Sequence, residues 1–217
     1  MKVYRYLMFF VLILITLPLC GASAAESGDT ISLGQWNGLP LTWRILTKDS
    51  SKALLYAEYS LPSLPYNTET KAVTWQTCSL RKWLQETFIT QAFSDVEIRA
   101  VCTVLNDNPP VYGTDGGPAT EDTIFLLSRA ELEAYFPVLK NRKTQQLTAP
   151  DINAKAGTVA FVSPYDLASP YWLRSPGVDE KHAACVSWSG VIESHSVKAG
   201  DIAVRPAMWV DLSILGL

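Results

Sequence analysis

The sequence is poor in the side chains that usually hold metal ions. Its 217 residues include 2 histidines and 4 cysteines, and no two cysteines form a C-x-x-C pair. Zinc sites are built from closely spaced cysteines and histidines. The P-loop, the dinucleotide fingerprint and the nucleophile elbow are missing as well. We therefore expect no metal site, no cofactor and no catalytic residues.

The sequence also has no excess of positively charged residues. The chain carries 18 Lys and Arg residues against 21 Asp and Glu residues, a formal net charge of −3. Proteins that bind nucleic acids concentrate basic residues on one face. The sequence therefore predicts no nucleic-acid partner and no polybasic contact with a membrane surface.

The one extended apolar run lies near the N-terminus, at residues 7–19. Lys2 and Arg5 precede it, and the small residues Ala22-Ser23-Ala24 follow it. This layout is typical of a cleavable signal peptide, and the run is shorter than the roughly 20 residues that span a bilayer. We expect a signal peptide over residues 1–24.

Cleavage at this point leaves one domain over residues 25–217, secreted or held at the cell surface, with no stable membrane span. Cys20 offers a minor alternative, a lipoprotein acylated on that cysteine. Leu19 precedes it directly and is not the small residue that such sites normally have.

Three cysteines remain in the expected mature chain, Cys78, Cys102 and Cys185. An odd number cannot all pair within one chain. We interpret them as buried small apolar residues. One disulfide with a free thiol is an alternative in an oxidising compartment, and a catalytic cysteine is a further one.

Strand patterns occur on both sides of the middle of the chain. Residues 41–46 alternate apolar and polar, and residues 53–59 predict the return strand after a turn at 48–51. Pro206 cannot donate to a ladder, so its strand is predicted at an edge or a bulge. Further β-prone runs, with a hairpin turn at Ser189-Gly190, lie at residues 101–105, 124–127, 171–177, 183–192 and 204–210.

Helix patterns lie between these strands. Four apolar residues at helical spacing predict a helix over residues 79–88 with Thr77 or Ser79 as its cap; they are Leu80, Trp83, Leu84 and Phe88. Capping boxes begin further helices at Ser94 and Ser128. Residues 61–66 and 140–146 are predicted to be connectors, and residues 151–156 a helical turn. The sequence thus predicts a single compact α+β domain of antiparallel sheets with two or three short helices.

Residues 106–120 hold three prolines and three glycines among polar residues, which indicates a long loop. Loops on a rigid scaffold often carry function. We predict ligand contacts here, with Tyr112 as the aromatic contact and Asp107 and Asp115 as polar contacts. Calcium binding is an alternative without EF-hand spacing, and a solvated loop is favoured over it; its oxygen donors would come from Asn106, Asp107, Asn108, Asp115, Glu121 and Asp122.

Arg174 and Arg205 each stand alone among apolar residues. A buried guanidinium needs hydrogen-bond acceptors, so we predict that both are structural. Anchoring of an anion or another ligand is the alternative. The 7 tryptophans could line a sugar-binding platform, but their positions favour core packing.

Five segments, taken together in this order, resemble the bacterial domain of unknown function 6273, a family of secreted and surface proteins. They are Trp43–Leu46, Thr74–Leu84, Asp122–Ser128, Tyr171–Gly177 and Val204–Trp209. The resemblance implies a C-type-lectin-like fold, similar to relatives of the formylglycine-generating enzyme, in which the terminal strands pair and a long irregular region carries function.

The resemblance and the residues together favour a non-catalytic binding module, secreted or at the cell surface, for a glycan or protein ligand. One alternative is an oxidase-like enzyme of the formylglycine-generating type, which would use a cysteine pair. The three cysteines do not match such a pair locally, so no active site is carried over. A structural envelope protein is the other alternative.

The leader generates the first prediction. The mature N-terminus is expected to be Ala25, because Ala22-Ser23-Ala24 fits the small-x-small cleavage rule. Mass spectrometry of the exported protein measures this directly. An intact leader, or a diacylglycerol on Cys20, would contradict it.

Overall fold

The computed structural model describes residues 25–147 and 168–217. Its strands are β1 (Thr30–Trp36), β2 (Leu39–Asp49), β3 (Lys52–Ala57), β4 (Leu61–Ser63), β5 (Val101–Cys102), β6 (Val104–Asn106), β7 (Thr120–Asp122), β8 (Phe125–Leu126), β9 (Tyr171–Pro176), β10 (His182–Val186), β11 (Ile192–Ser196), β12 (Ala203–Val204) and β13 (Pro206–Asp211). Its helices are α1 (Ser79–Trp83), α2 (Ile89–Ala92), α3 (Asp95–Ala100), α4 (Arg129–Tyr135), α5 (Leu139–Arg142) and α6 (Leu212–Leu215).

The first sheet has the strand order β1-β2-β3-β13-β5, and β8 also pairs with β13. All of its pairings are antiparallel. The predicted hairpin is present as β2 and β3, with a turn at residues 50–51. Trp43 and Ile45 alternate inward along β2, as their spacing predicted. The first sheet therefore joins the N-terminal strands to the last strand of the chain.

The second sheet has the order β11-β10-β9-β12-β4. β9 and β12 are parallel, and the other pairings are antiparallel. The hairpin turn at Ser189-Gly190 is confirmed, with Gly190 at φ +89°. Residues 61–66 were expected to be loop, but residues 61–63 form β4. Because β4 lies at the sheet edge, its Pro62 interrupts no inner ladder.

The chain changes sheets at a single residue, Arg205, which lies between β12 in the second sheet and β13 in the first. The prediction of an edge or bulged strand at Pro206 was wrong. β13 is central in its sheet, and Pro206 is its first residue, a position where a missing N–H is tolerated.

The three predicted helices are present with shifted ends, and two further short helices, α5 and α6, lie where no helix was predicted. A π-helical turn at Leu84–Phe88 joins α1 to α2, so the segment runs beyond the predicted residue 88. Its cap is Cys78, whose Sγ accepts a hydrogen bond from the Arg81 N–H at 3.4 Å, rather than Thr77 or Ser79. Both capping boxes are confirmed. The connector at 140–146 begins inside α5, and the turn expected at 151–156 lies outside the described residues.

One continuous core is formed from both sheets and the helices. Trp43, Trp75 and Trp172 are fully buried, and Trp36, Trp83 and Trp209 pack partly buried against the same core. Core packing is therefore confirmed for these six tryptophans. Trp188, in the turn between β10 and β11, is exposed.

Arg174 and Arg205 are both buried and both link the two sheets. From β9, Arg174 Nη1 donates to the Leu126 carbonyl of β8 at 2.9 Å, and its guanidinium makes two hydrogen bonds to the Glu131 carboxylate of α4. Arg205 donates to the Ala57 carbonyl of β3 at 2.9 Å. Both arginines are therefore buried and hydrogen-bonded, as expected for a structural role. This role generates the next prediction.

Replacing Arg174 by Ala is expected to lower the free energy of unfolding by about 1–3 kcal/mol, because it leaves buried acceptors without a donor. The melting temperature should fall by roughly 2–4 °C per kcal/mol in a chain of this size. Thermal and urea unfolding measure both quantities. Arg99→Ala, at an exposed position of α3, is the matched control.

The effect of Arg174→Ala should depend on pH. Burial raises the pKa of Glu131, but the hydrogen bonds from Arg174 and Ser128 outweigh it and leave that pKa below its usual value. A lowered folded-state pKa stabilises the protein above the unfolded-state value, about 4.3, and this contribution is lost as the pH falls through the folded-state pKa. The stability gap between wild type and variant should therefore narrow below about pH 4. A constant gap down to acid unfolding would contradict the pairing.

Candidate functional site

The predicted loop is closed at its base by an antiparallel pair, β6 and β7. The connection between them, residues 107–119, is tied down at several points. The Asn108 side chain donates to the Pro118 carbonyl at 2.8 Å. A Cβ added at Gly116 would lie 2.2 Å from the Asn108 carbonyl oxygen. The close approach of the two backbones therefore requires glycine at this position.

A buried carboxylate, Asp122, fastens the base of the loop. Its Oδ2 accepts hydrogen bonds from Trp75 Nε1 at 3.0 Å, from the Asn106 amide at 3.0 Å and from the Thr120 hydroxyl at 2.8 Å. Its Oδ1 accepts from Arg81 Nε at 2.6 Å. Asp122 is fully buried, so its charge is tolerated only because it is paired and hydrogen-bonded in this way.

The tip of the loop is a tight turn over residues 111–114, called here the Tyr112 turn. The backbones of Val111 and Thr114 exchange hydrogen bonds of 3.1 and 2.9 Å. The two central residues, Tyr112 and Gly113, have φ angles of 53° and 84°. Positive φ at both central positions is the mark of a type I′ turn, which usually has Asn-Gly there. A tyrosine in left-handed backbone is an uncommon and strained choice.

Tyr112 is 73% exposed, yet it is held by a neighbour. Arg129 Nη1 donates to its hydroxyl, and the Arg129 guanidinium lies 5.0 Å from the centre of its ring. Arg129 in turn donates from Nε to Glu133 at 3.1 Å. Arg129 is the first residue of α4, whose start is fixed by the capping box of Ser128 and Glu131. The tyrosine ring is therefore both accessible and positioned.

Two hollows meet at this ring. The apolar hollow, about 360 Å³, is lined among others by Val111, Tyr112, Arg129, Pro176, Val178 and Ile192. The acidic hollow, about 550 Å³, is lined among others by Tyr112, Thr114, Asp115, Val178, Asp179 and Glu180. Tyr112 and Val178 line both hollows, and both are largely exposed. Three carboxylates, of Asp115, Asp179 and Glu180, line this hollow against one lysine, Lys181, so this side of the ring carries net negative charge.

Of the three predicted contact residues, the structure brings two together. Tyr112 and Asp115 both line the acidic hollow. Asp115 Oδ1 accepts from the Gly117 N–H at 3.0 Å, which orients its carboxylate. Asp107 lies at the base of the loop and lines neither hollow. Its carbonyl accepts from Arg174 at 3.4 Å, so its observed contact with the rest of the fold is made by its backbone.

Three of the residues considered as calcium ligands make structural hydrogen bonds instead. Asn106 and Asp122 belong to the buried cluster at the loop base, and Asn108 holds the loop backbone. Within the described part of the chain, no group of three or more His, Cys, Asp or Glu side chains could hold a metal ion.

The three described cysteines are free thiols. Burial raises the pKa of Cys78 to about 12 and that of Cys185 to about 12. A reactive cysteine needs a lowered pKa and access to solvent. The geometry of these two thiols is that of core residues.

Sequence reasoning missed three residues of the site. The sequence places Arg129 only inside the capping box that begins at Ser128. It assigns no role to Val178, and it counts Asp122 only among the possible calcium ligands. A signal for the turn was present, since the dipeptide Tyr112-Gly113 has glycine where a type I′ turn needs it. The pairing of Arg129 with Tyr112 crosses 17 positions of the chain and has no local pattern.

The fold and the site define a small α+β protein with a rigid loop over two shallow hollows. Residues 50–212 match the family model described as Domain of unknown function (DUF6273). This match covers well over half of the chain, so the protein belongs to that family, as the resemblance predicted. No match was found among curated proteins or solved structures. No helix in residues 25–147 and 168–217 is long and apolar enough to cross a membrane.

The buried cluster generates the third prediction. Asp122→Asn replaces one carboxylate oxygen by an amide, which then faces either Arg81 or the three donors at Oδ2. The expected loss of stability is about 3–5 kcal/mol, the usual cost of breaking a buried charge pair. Amides of residues 107–119 should also exchange hydrogen faster, because the base of the loop is released.

Denaturant unfolding and hydrogen exchange measure these two effects. Glu121→Gln is the control, since it removes the charge of the exposed neighbour of Asp122. Equal stability of the two variants would show that Asp122 does not fasten the loop.

Proposed function

We propose that this protein is a non-catalytic binding module, secreted or displayed at the cell surface, for a glycan or protein ligand. The Tyr112 turn is the centre of the binding surface. Tyr112 and Asp115 contact the ligand, together with Val178 and the two hollows beside the ring. Export rests on the signal-peptide pattern of residues 1–24.

The observation that carries this proposal is the backbone of Tyr112. A bulky residue with positive φ costs on the order of 1 kcal/mol or more, and glycine or asparagine would occupy the position without that cost. Strained residues of this kind cluster at ligand-binding positions. Here the residue with positive φ is Tyr112, whose exposed aromatic ring lies between two hollows.

The way the ring is held also favours binding. Tyrosine gives a large contact area at a low entropic cost, which is why it is frequent in binding surfaces. Arg129 already orders this side chain in the free protein, so less ordering remains to be done on binding. The carboxylates of Asp115 and Asp179 lie within reach of ligand hydroxyl or amine groups beside the ring.

Two alternatives have less support. An oxidase-like enzyme of the formylglycine-generating type needs reactive thiols, and the raised pKa values of Cys78 and Cys185 favour a structural role for both. A structural envelope protein has no need of a strained, exposed tyrosine.

The fold is proposed to be C-type-lectin-like. Two features support this. The last strand, β13, lies beside β3 from the N-terminal part of the chain, and a long irregular region between β6 and β7 carries the candidate site. An experimental structure, compared strand by strand with C-type lectins, tests it.

The binding proposal predicts the effect of removing the ring. Screening on glycan and bacterial surface-protein arrays identifies a ligand, and titration measures its Kd. Tyr112→Ala should weaken binding about tenfold or more, as expected for a central aromatic contact. The melting temperature should stay within about 2–4 °C of wild type. Trp188→Ala, at an exposed aromatic outside both hollows, should leave the Kd unchanged.

A second variant separates the loop from the rest of the surface. Replacing residues 109–117 by a short Gly-Ser linker should abolish binding to the same ligand. Full binding by this variant, or equal losses in the Tyr112 and Trp188 variants, would refute the assignment.

A further inference from the structure

A third hollow, here called the Arg205 hollow, lies where the chain passes from one sheet to the other. Its volume is about 580 Å³, within the usual range of about 300–1,000 Å³ for small-molecule sites. Its lining includes Arg205, the rings of Tyr59, Tyr135 and Phe136, and the side chains of Asn141 and Gln145. It shares no lining residue with the two hollows at the Tyr112 turn.

Arg205 is 4% exposed and has no carboxylate in hydrogen-bond contact among the described residues. Its Nε donates to the Ala57 carbonyl, and its Nη1 donates to the Arg142 carbonyl at 3.2 Å and to the Tyr171 hydroxyl at 3.4 Å. The guanidinium lies 4.1 Å from the centre of the Tyr56 ring. Its Nη2 donates no hydrogen bond to any described residue.

The other charges of the lining are already engaged. Arg44 donates from Nε and Nη2 to the two oxygens of Glu58, at 2.8 and 2.7 Å. This pair is locally neutral, and both of its carboxylate oxygens are occupied. Lys143 has a partner of its own. Among the described residues, neutral groups make all the hydrogen bonds of Arg205, and the Glu58 carboxylate acts on it only at longer range.

A buried charge is costly unless an opposite charge and hydrogen bonds compensate it. Carbonyls, a phenol and aromatic rings supply part of this compensation for Arg205. The two N–H groups of Nη2 are left to donate to a carboxylate, in a charge-assisted hydrogen bond. The amides of Asn141 and Gln145 are exposed on the rim and add hydrogen-bond donors, while the three rings supply an apolar wall.

We propose that the Arg205 hollow binds a small monocarboxylate whose apolar or aromatic body packs against Tyr59, Tyr135 and Phe136. One guanidinium without a carboxylate in hydrogen-bond contact among the described residues matches a ligand with one negative charge. A phosphate group, which carries about −1.5 to −2 at neutral pH, would leave charge unmatched. This site goes beyond binding at the Tyr112 turn and does not depend on it.

Benzoate is a suitable probe, because it combines one carboxylate with a flat apolar ring. Benzoate titrated at millimolar concentrations into the ¹⁵N-labelled protein should produce saturable shifts at the amides of Thr144 and Gln145 and at Arg205 Nε. Benzamide, its neutral analogue, should produce no saturable shift there. Inorganic phosphate should shift these signals at least about fivefold more weakly than benzoate.

Two variants keep the proposal falsifiable. Arg205→Lys retains the charge and removes the Nη2 donors, so it should weaken benzoate binding about tenfold. If this variant does not fold, Asn141→Asp tests the proposal instead. It adds a negative charge at an exposed position of the hollow, so it should weaken benzoate binding about fivefold. Gln91→Glu adds the same charge at an exposed position outside the hollow and should have no effect.

Several results would overturn the proposal. They are the absence of saturable shifts with benzoate, equal shifts with benzamide, stronger binding of phosphate, and unchanged benzoate binding in Asn141→Asp. Shifts at Arg129 and Tyr112 in place of Thr144 and Gln145 would also overturn it, since they would move the carboxylate site to the other surface.

Discussion

The pairing of Arg174 with Glu131 is the interaction on which the rest of the structure depends. It joins a strand of the second sheet to α4, and the same guanidinium donates to the Leu126 carbonyl in the first sheet and to the Asp107 carbonyl at the base of the loop. Glu131 also completes the capping box that begins α4. One ion pair, between the buried Arg174 and the half-buried Glu131, thus fixes two sheets, a helix start and a loop relative to one another.

The candidate site is built on this pairing. Because the capping box sets where α4 begins, it also sets the position of Arg129, which holds the Tyr112 ring. The backbone N–H of Arg129 donates to the Ser175 hydroxyl on β9 at 2.9 Å, which ties the helix start to the second sheet a second time. Two segments that carry the family resemblance, residues 122–128 and 171–177, therefore meet beneath the exposed tyrosine on which the proposed binding surface is centred.

Much of the fold could be predicted because its signals are local. Alternation gave the β2–β3 hairpin, and the capping boxes gave the starts of α3 and α4. The strand prediction at Pro206 failed because a distant relation decides it. Pro206 begins a central strand because the chain changes sheets at Arg205. The contact of the Asp107 carbonyl with Arg174 of β9 is equally distant in sequence. Neither relation can be read from the neighbouring residues.

The candidate site was only partly predicted for the same reason: some of its features have local sequence signals, and others depend on contacts between distant residues. Composition revealed an irregular loop with an aromatic residue, but the sequence does not show that Tyr112 has a left-handed backbone or that Arg129 lies over its ring. A strained residue persists only where its surroundings determine its conformation. At this loop, the buried Asp122 cluster fixes the base and Arg129 fixes the tip. Part of the folding free energy is thus used to hold an exposed ring in a conformation that folding alone does not favour, and the proposed binding role rests on this arrangement.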